Sequence, residues 1–159
     1  MIPQGKKIKL LMLFVIAAFT VSSCKKVPTV PGSSTAKISF KVGTVQKQAS
    51  GAKNVTLAYY KSENTVQVLG MLSPTEGVSL MITNFNGVGE YTGDNFAGVY
   101  MTGTEDPESH YLGFDEGSLK VTSFTDNVIK GEFKFTGENL SGEQKIISEG
   151  TFEGKMMEL

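Results

Sequence analysis

GSLKVTSFTDNVIKGEFKFTG, residues 117–137, holds two runs of alternating apolar and polar side chains joined by an Asp-Asn pair. Ile129, Gly131, Phe133 and Phe135 fall on one side, with Val128, Lys130, Glu132 and Lys134 on the other. A period of two places successive side chains on opposite faces of a strand, so this stretch reads as a hairpin with one apolar face. Two versions of its turn compete. A two-residue Asp126-Asn127 turn buries Phe124 but sets Leu119 and Val121 opposite Glu132 and Lys134. A three-residue loop that includes Thr125 buries Leu119 and Val121 instead. The second is the expected one, with Asn127 in the left-handed conformation that asparagine tolerates.

Downstream, the polar loop from Gly137 to Gln144 leads into another alternating run from Lys145. Pairing it back places Phe135 opposite Ile146, Gly131 opposite Gly150 and Ile129 opposite Phe152. Phe133 or Phe152 then leans across the paired glycines.

Upstream the same period recurs in Ile38-Phe40-Val42, Val55-Leu57-Tyr59, Val66-Val68, Val78-Leu80-Ile82 and Leu112-Phe114. Turn residues separate the runs at Ser50-Gly51, Ser62-Glu63-Asn64, Ser73-Pro74, Asn86-Gly87, Gly93-Asp94-Asn95, Asp106-Pro107, Asp115-Glu116-Gly117 and Asp126-Asn127. Connections this short favour antiparallel neighbours, because a parallel crossover needs a dozen or more residues. The expected fold is all-β: an antiparallel meander over residues 36–159 forming a single β-sandwich or flattened up-and-down barrel.

The first 35 residues have a different character. Lys6, Lys7 and Lys9 precede a continuously apolar run from Leu10 to Phe19, and Val21, Ser22 and Ser23 lead to Cys24, the one cysteine of the chain. This is the layout of a secretory signal, and its apolar part is shorter than the roughly 20 residues a spanning helix needs. Val21-Ser22-Ser23-Cys24 resembles the lipobox of bacterial lipoproteins. The resemblance implies a diacylglyceryl group on the Cys24 thiol, cleavage that removes residues 1–23, and acylation of the new amino group, with palmitate among the chains. More than one acyl chain is what stable anchoring requires. Lys25, where an Asp would signal retention at the inner membrane, makes the outer membrane the expected address, with the domain facing the periplasm or the cell surface. Residues 24–35 include Pro28, Pro31 and Gly32 and read as a flexible tether. A lone cysteine also rules out an internal disulfide.

All fifteen basic residues are Lys. Removing residues 1–23 leaves twelve against sixteen acidic groups, a net charge of −4. Without Arg, and with a negative balance, the chain lacks the bidentate forks and basic face of a nucleic-acid binder.

Candidate chemistry is sparse. His110 is the single histidine, and no serine lies in a G-x-S-x-G elbow, so it reads as a polar residue at a strand start. Glu105, Asp106 and Glu108, with Asp115 and Glu116, form the richest acidic stretch; their spacing matches no calcium loop. Gly87 and Gly89 read as a turn because no helical pattern follows them. Tyr60 and Phe124 lie on the less regular faces and are candidates for a recognition patch. No cofactor, metal ligand or catalytic residue is expected.

The 117–137 stretch followed by EGTFEGK at 149–155 resembles an uncharacterised family of small lipoproteins from Bacteroidota-type bacteria, with its elements G-x-L-x-V/I-T, G-x-F-x-F and G-x-F. Gly117, Leu119, Val121, Thr122, Gly131, Phe133, Phe135, Gly150 and Phe152 match. The family carries no assigned activity. The expectation is a non-enzymatic, lipid-anchored binding or accessory module; the alternative is a lipocalin-like barrel carrying a small apolar ligand.

Overall fold

The computed structural model describes residues 35–103, 106–114 and 116–159. The signal segment, Cys24 and the tether up to residue 34 lie outside the described residues, as do Glu105 and Asp115.

Among the described residues twelve strands follow one another: β1 (Lys37–Val42), β2 (Val45–Ser50), β3 (Val55–Tyr60), β4 (Thr65–Met71), β5 (Gly77–Ile82), β6 (Gly89–Thr92), β7 (Phe96–Met101), β8 (His110–Gly113), β9 (Gly117–Thr125), β10 (Val128–Glu138), β11 (Gln144–Lys155) and β12 (Met157–Glu158). The all-β expectation holds. The sheet runs β12-β3-β4-β5-β7-β8-β10-β11-β1-β2, and β6 pairs with β9. Strands β8 and β9 occupy successive parts of one edge of β10, with Leu112 opposite Glu138 and Gly117 opposite Phe135. Together with β7 and β6 they make one long hairpin whose two arms are broken, one by a 3₁₀ turn at Gly93–Asn95.

One pairing is parallel: Met157 with Ala58 and Glu158 with Tyr59. Because Met156 alone separates β12 from β11, the last strand passes from β10 and β1 on to β3 and draws the sheet into a half-barrel. The meander is therefore mixed at this one joint.

Aromatic rings fill the interior. Phe40 lies 6.0 Å from Phe133 and 6.1 Å from Tyr100, and Phe133 lies 6.5 Å from Phe152. Glycines let the rings in: a Cβ on Gly98 would stand 2.6 Å from the Phe135 ring, and one on Gly131 2.5 Å from that of Phe152. Across the half-barrel Ile38 presses on Gly70 and Leu57 on Gly154, which flattens it.

Three local expectations need correction. Gly131 faces Phe152, Phe133 faces Gly150 and Phe135 faces Ile147, so each glycine meets an aromatic rather than a second glycine. Two single steps produce this: the strands leave the loop with Glu138 opposite Gln144, one residue from the expected register, and a bulge in β11, where Ser148 and Glu149 together oppose Lys134 and Glu149 has a φ of 49°, adds the second. The first step reverses the inward parity at the loop end, burying Ile147 and leaving Ile146 exposed. The β9–β10 turn has two residues, Asp126 and Asn127, with φ of 53° and 62°. A bulge at Thr122, not a longer loop, brings Phe124, Val121 and Leu119 to the same side. Last, Tyr111 and Gly113 point inward from β8, so Leu112 lies on the outer face.

Candidate interaction surface

Strands β3, β4, β5 and β7 pair without a register shift, so rows of side chains can be followed across them. Leu57, Val68, Leu80 and Gly98 form an inward row. The next row, Ala58, Gln67, Met81 and Ala97, must face outward. Below it run Thr56, Leu69, Ser79, Val99 and Leu112, then Met71, Gly77, Met101 and His110. None of these residues carries a carboxylate or an ammonium group.

Ala58, Ala97 and Val99 are buried although they stand apart from the interior core. A Cβ on Gly77 would lie 2.9 Å from the Met71 sulfur and 3.4 Å from Met101 Cε. Of the five methionines after Cys24, four (Met71, Met81, Met101 and Met157) belong to this wall, and Met156 alone points into the core. Unbranched thioethers adapt to irregular partners, and this concentration is typical of contact surfaces. Three polar groups on the face are joined to one another: Tyr60 Oη donates to Gln67 Oε1 and Gln67 Nε2 to Ser79 Oγ, each at 3.4 Å.

The opposite wall has the reverse character. Glu90, Lys120 and Glu132 stand in one cross-strand row on β6, β9 and β10. Glu153 on β11 receives Lys130 at 2.8 Å and Lys37 at 3.3 Å, and these two ammonium groups hold its carboxyl below the usual range. Lys41 meets Glu149 at 2.7 Å. A groove of about 580 Å³ runs over this wall between Glu90, Lys120, Glu132, Lys134, Glu149 and Thr151. Its charges alternate in sign and are solvated, which makes it a solubilising exterior. Charges there also separate this half-barrel from membrane barrels, whose exteriors are apolar all round.

Two Lys-Glu-Tyr chains seal the end of the half-barrel where the 72–76 and 139–143 loops lie. Tyr100 Oη donates to Glu76 Oε1, which also receives Lys47 from β2 at 2.9 Å. Burial, then Glu76, pushes the Tyr100 phenol well above its ordinary value. Burial alone would raise Glu76, but the hydrogen bonds from Tyr100 and Lys47 outweigh it and hold the carboxyl below the usual range. Tyr111 Oη donates to Glu143 Oε2 at 2.9 Å, and Lys145 reaches Glu143 Oε1 at 2.9 Å while lying 4.5 Å over the Tyr111 ring. Asn139, itself buried, ties the 139–143 loop to the 3₁₀ turn before β8 by donating to the Glu108 carbonyl.

The residues singled out from the sequence scatter. His110 opens β8 opposite Met101, and the adjacent Ser109 hydroxyl donates to the Asp106 carbonyl at 2.6 Å. Asp106 Oδ1 accepts the Glu108 N–H at 3.0 Å. Among the described residues no group of three His, Cys, Asp or Glu side chains is placed to hold a metal ion. Asn86-Gly87 forms the expected turn, held by the Tyr91 hydroxyl 2.7 Å from the Gly87 carbonyl oxygen. Phe124 packs edge-on against Phe85 at 5.4 Å and serves the core, whereas Tyr60 lies on the uncharged outer face. Sequence reading passed over the methionines. Their signal was present in VQVLGM, VSLMI and FAGVYM, three runs apolar on both parities. No family model matches the chain, and neither a curated protein nor a solved structure does.

Proposed function

We propose that this chain is a lipid-anchored, non-enzymatic binding or accessory module of the bacterial cell envelope, which meets its partner through the uncharged outer face of β3, β4, β5, β7 and β8. The observation that carries the reading is the division of the exterior: one wall alternates Lys with Glu, while the other has no charge on its facing residues and gathers four methionines. Flexible thioethers gathered on an uncharged outer wall suit contact with a partner. Anchoring rests on the lipobox-like run ending at Cys24 and its basic and apolar approach. The ring-filled interior lends the carrier reading no support, since a carrier needs a cavity of several hundred Å³.

Methionine footprinting with peroxide tests the contact face. In intact cells Met71, Met81 and Met101 should oxidise at least about fivefold more slowly than in the detergent-extracted, diluted protein, because a partner would cover what these half-buried side chains still expose. Equal rates in both settings would remove the proposed face. Cys24→Ser should abolish incorporation of labelled palmitate and leave the signal segment uncleaved; labelling that persists would remove the anchor.

A further inference from the structure

We propose that Asn86, Gly87 and Tyr91 form a self-modifying site: the Gly87 nitrogen attacks the Asn86 side-chain amide, the Tyr91 hydroxyl stabilises the oxyanion that develops, and water opens the product to aspartate and isoaspartate. The turn stands between β5 and β6, outside the uncharged face, so the proposal does not depend on partner binding. The nucleophile is unusually open. Of the seven asparagines in the chain, Asn86 alone precedes glycine; the other six precede Val, Thr, Phe or Leu, whose side chains crowd the following nitrogen. Gly87 has a φ of 97°, and no atom lies within 4 Å of where a Cβ would stand. Its N–H has no acceptor among the described residues, whereas the Phe85 N–H bonds to the Asn64 carbonyl and the Asn86 N–H to Tyr91 Oη. A nitrogen outside any hydrogen bond can lose its proton without breaking one.

The electrophile is held by the same turn. Asn86 Oδ1 lies 2.8 Å from Tyr91 Oη, whose one proton is shared with the Gly87 carbonyl oxygen 2.7 Å away. Tyr91 is buried and stacks on Phe85 at 6.1 Å, so its hydroxyl is fixed in place. A placed donor about 2.7–3.1 Å from the oxygen on which charge develops stabilises a tetrahedral intermediate. Asn86 itself is exposed, and its Nδ2 donates to none of the described residues, so the leaving group is not tied down. In the first step the Gly87 N to Asn86 Cγ bond forms, the Cγ–Nδ2 bond breaks, and ammonia departs with the proton lost by the Gly87 nitrogen. The product is a five-membered imide. Water then adds at Cγ to give aspartate, or at the Asn86 backbone carbonyl to give isoaspartate, in which the main chain is longer by one methylene. Either product places a new carboxylate beside Tyr91.

The test incubates the detergent-extracted full chain at pH 8 and follows every asparagine by peptide mass spectrometry, with fragmentation that separates isoaspartate from aspartate. Asn86 should convert from amide to acid at least about tenfold faster than any of the other six, which serve as controls in the same digest. Tyr91→Phe keeps the ring against Phe85 and removes only the hydroxyl; in the folded chain it should slow conversion at least about fivefold. In urea the parent and Tyr91→Phe chains should convert Asn86 at the same rate, because the phenol no longer stands beside it. No conversion at Asn86, or conversion no faster than at the other asparagines, would overturn the site. An equal or faster rate in folded Tyr91→Phe, or a difference that persists in urea, would overturn the part given to Tyr91 and with it the inference.

Discussion

Phe133 lies directly opposite Gly150 across β10 and β11, and a Cβ on Gly150 would stand 2.5 Å from the Phe133 carbonyl oxygen and 2.6 Å from its ring. Backbone as well as ring blocks the site, so no rotamer change can make room.

Gly150→Ala is accordingly expected to destabilise the domain by about 1–3 kcal/mol through overpacking. Gly89, around which no atom lies within 4 Å of a Cβ, is the control, and Gly89→Ala should change stability by less than about 0.5 kcal/mol. Urea unfolding of the two variants checks this. Equal stability would mean that the close approach of Phe133 is not a packing constraint.

The Asp126-Asn127 turn predicts a second contrast. Asn127 has a φ of 62°, and its amide donates to Glu158 at 3.3 Å. Asn127→Ala should cost about 1–2 kcal/mol because a plain Cβ is disfavoured in the left-handed region. Asn127→Gly should stay within about 0.5 kcal/mol of the parent, glycine's ease at positive φ offsetting the lost hydrogen bond. A larger loss in the glycine variant would show that the Glu158 contact outweighs backbone conformation.

Tyr100 and Tyr111 make analogous bonds in different surroundings. Tyr100→Phe leaves the partly buried Glu76 with Lys47 alone and should cost ~1.5–3 kcal/mol, the range for a hydrogen bond to a charged group. Tyr111→Phe removes a bond to an exposed, solvent-screened carboxylate and should lower the melting temperature less than Tyr100→Phe does. Thermal melts at neutral pH rank the two; the reverse order would refute the burial argument.

The pH dependence of the first pair follows from the directions of its shifts. The Tyr100 phenol is raised above its ordinary value of 10.0, so its stabilisation is complete below that pH and declines as the pH rises past it. Glu76 is lowered from 4.5, so its contribution is present above that value and declines as the pH falls below it. Melting temperature measured from pH 8 to 11 should fall at the alkaline end in the parent and fall less in Tyr100→Phe. Identical alkaline slopes would contradict the assignment.

The all-β class, the strands around Phe40, Leu57, Leu80 and Phe133, most of the turns and the left-handed Asn127 were all legible from local pattern, because alternation and turn chemistry act between near neighbours. β2 was not: VQKQAS buries only Ala49 and shows no alternation to detect. The bulges at Thr122 and Glu149 also left no mark, since alternation reads correctly on either side of an extra residue and only the partner strand reveals the change of phase. In the same way, VSLMI is apolar on both parities. Whether Leu80 or Met81 faces the core depends on what lies across the half-barrel.

Sequence by itself determined that this chain forms strands with an apolar face, and it supplied the lipobox-like approach to Cys24, because both depend on residues close together in the chain. Tertiary structure alone decided the registers, the parallel joint of β12 with β3 and the two-faced exterior. Those features come from pairings between residues as far apart as Ala58 and Met157, and no local preference encodes which distant strand becomes a neighbour.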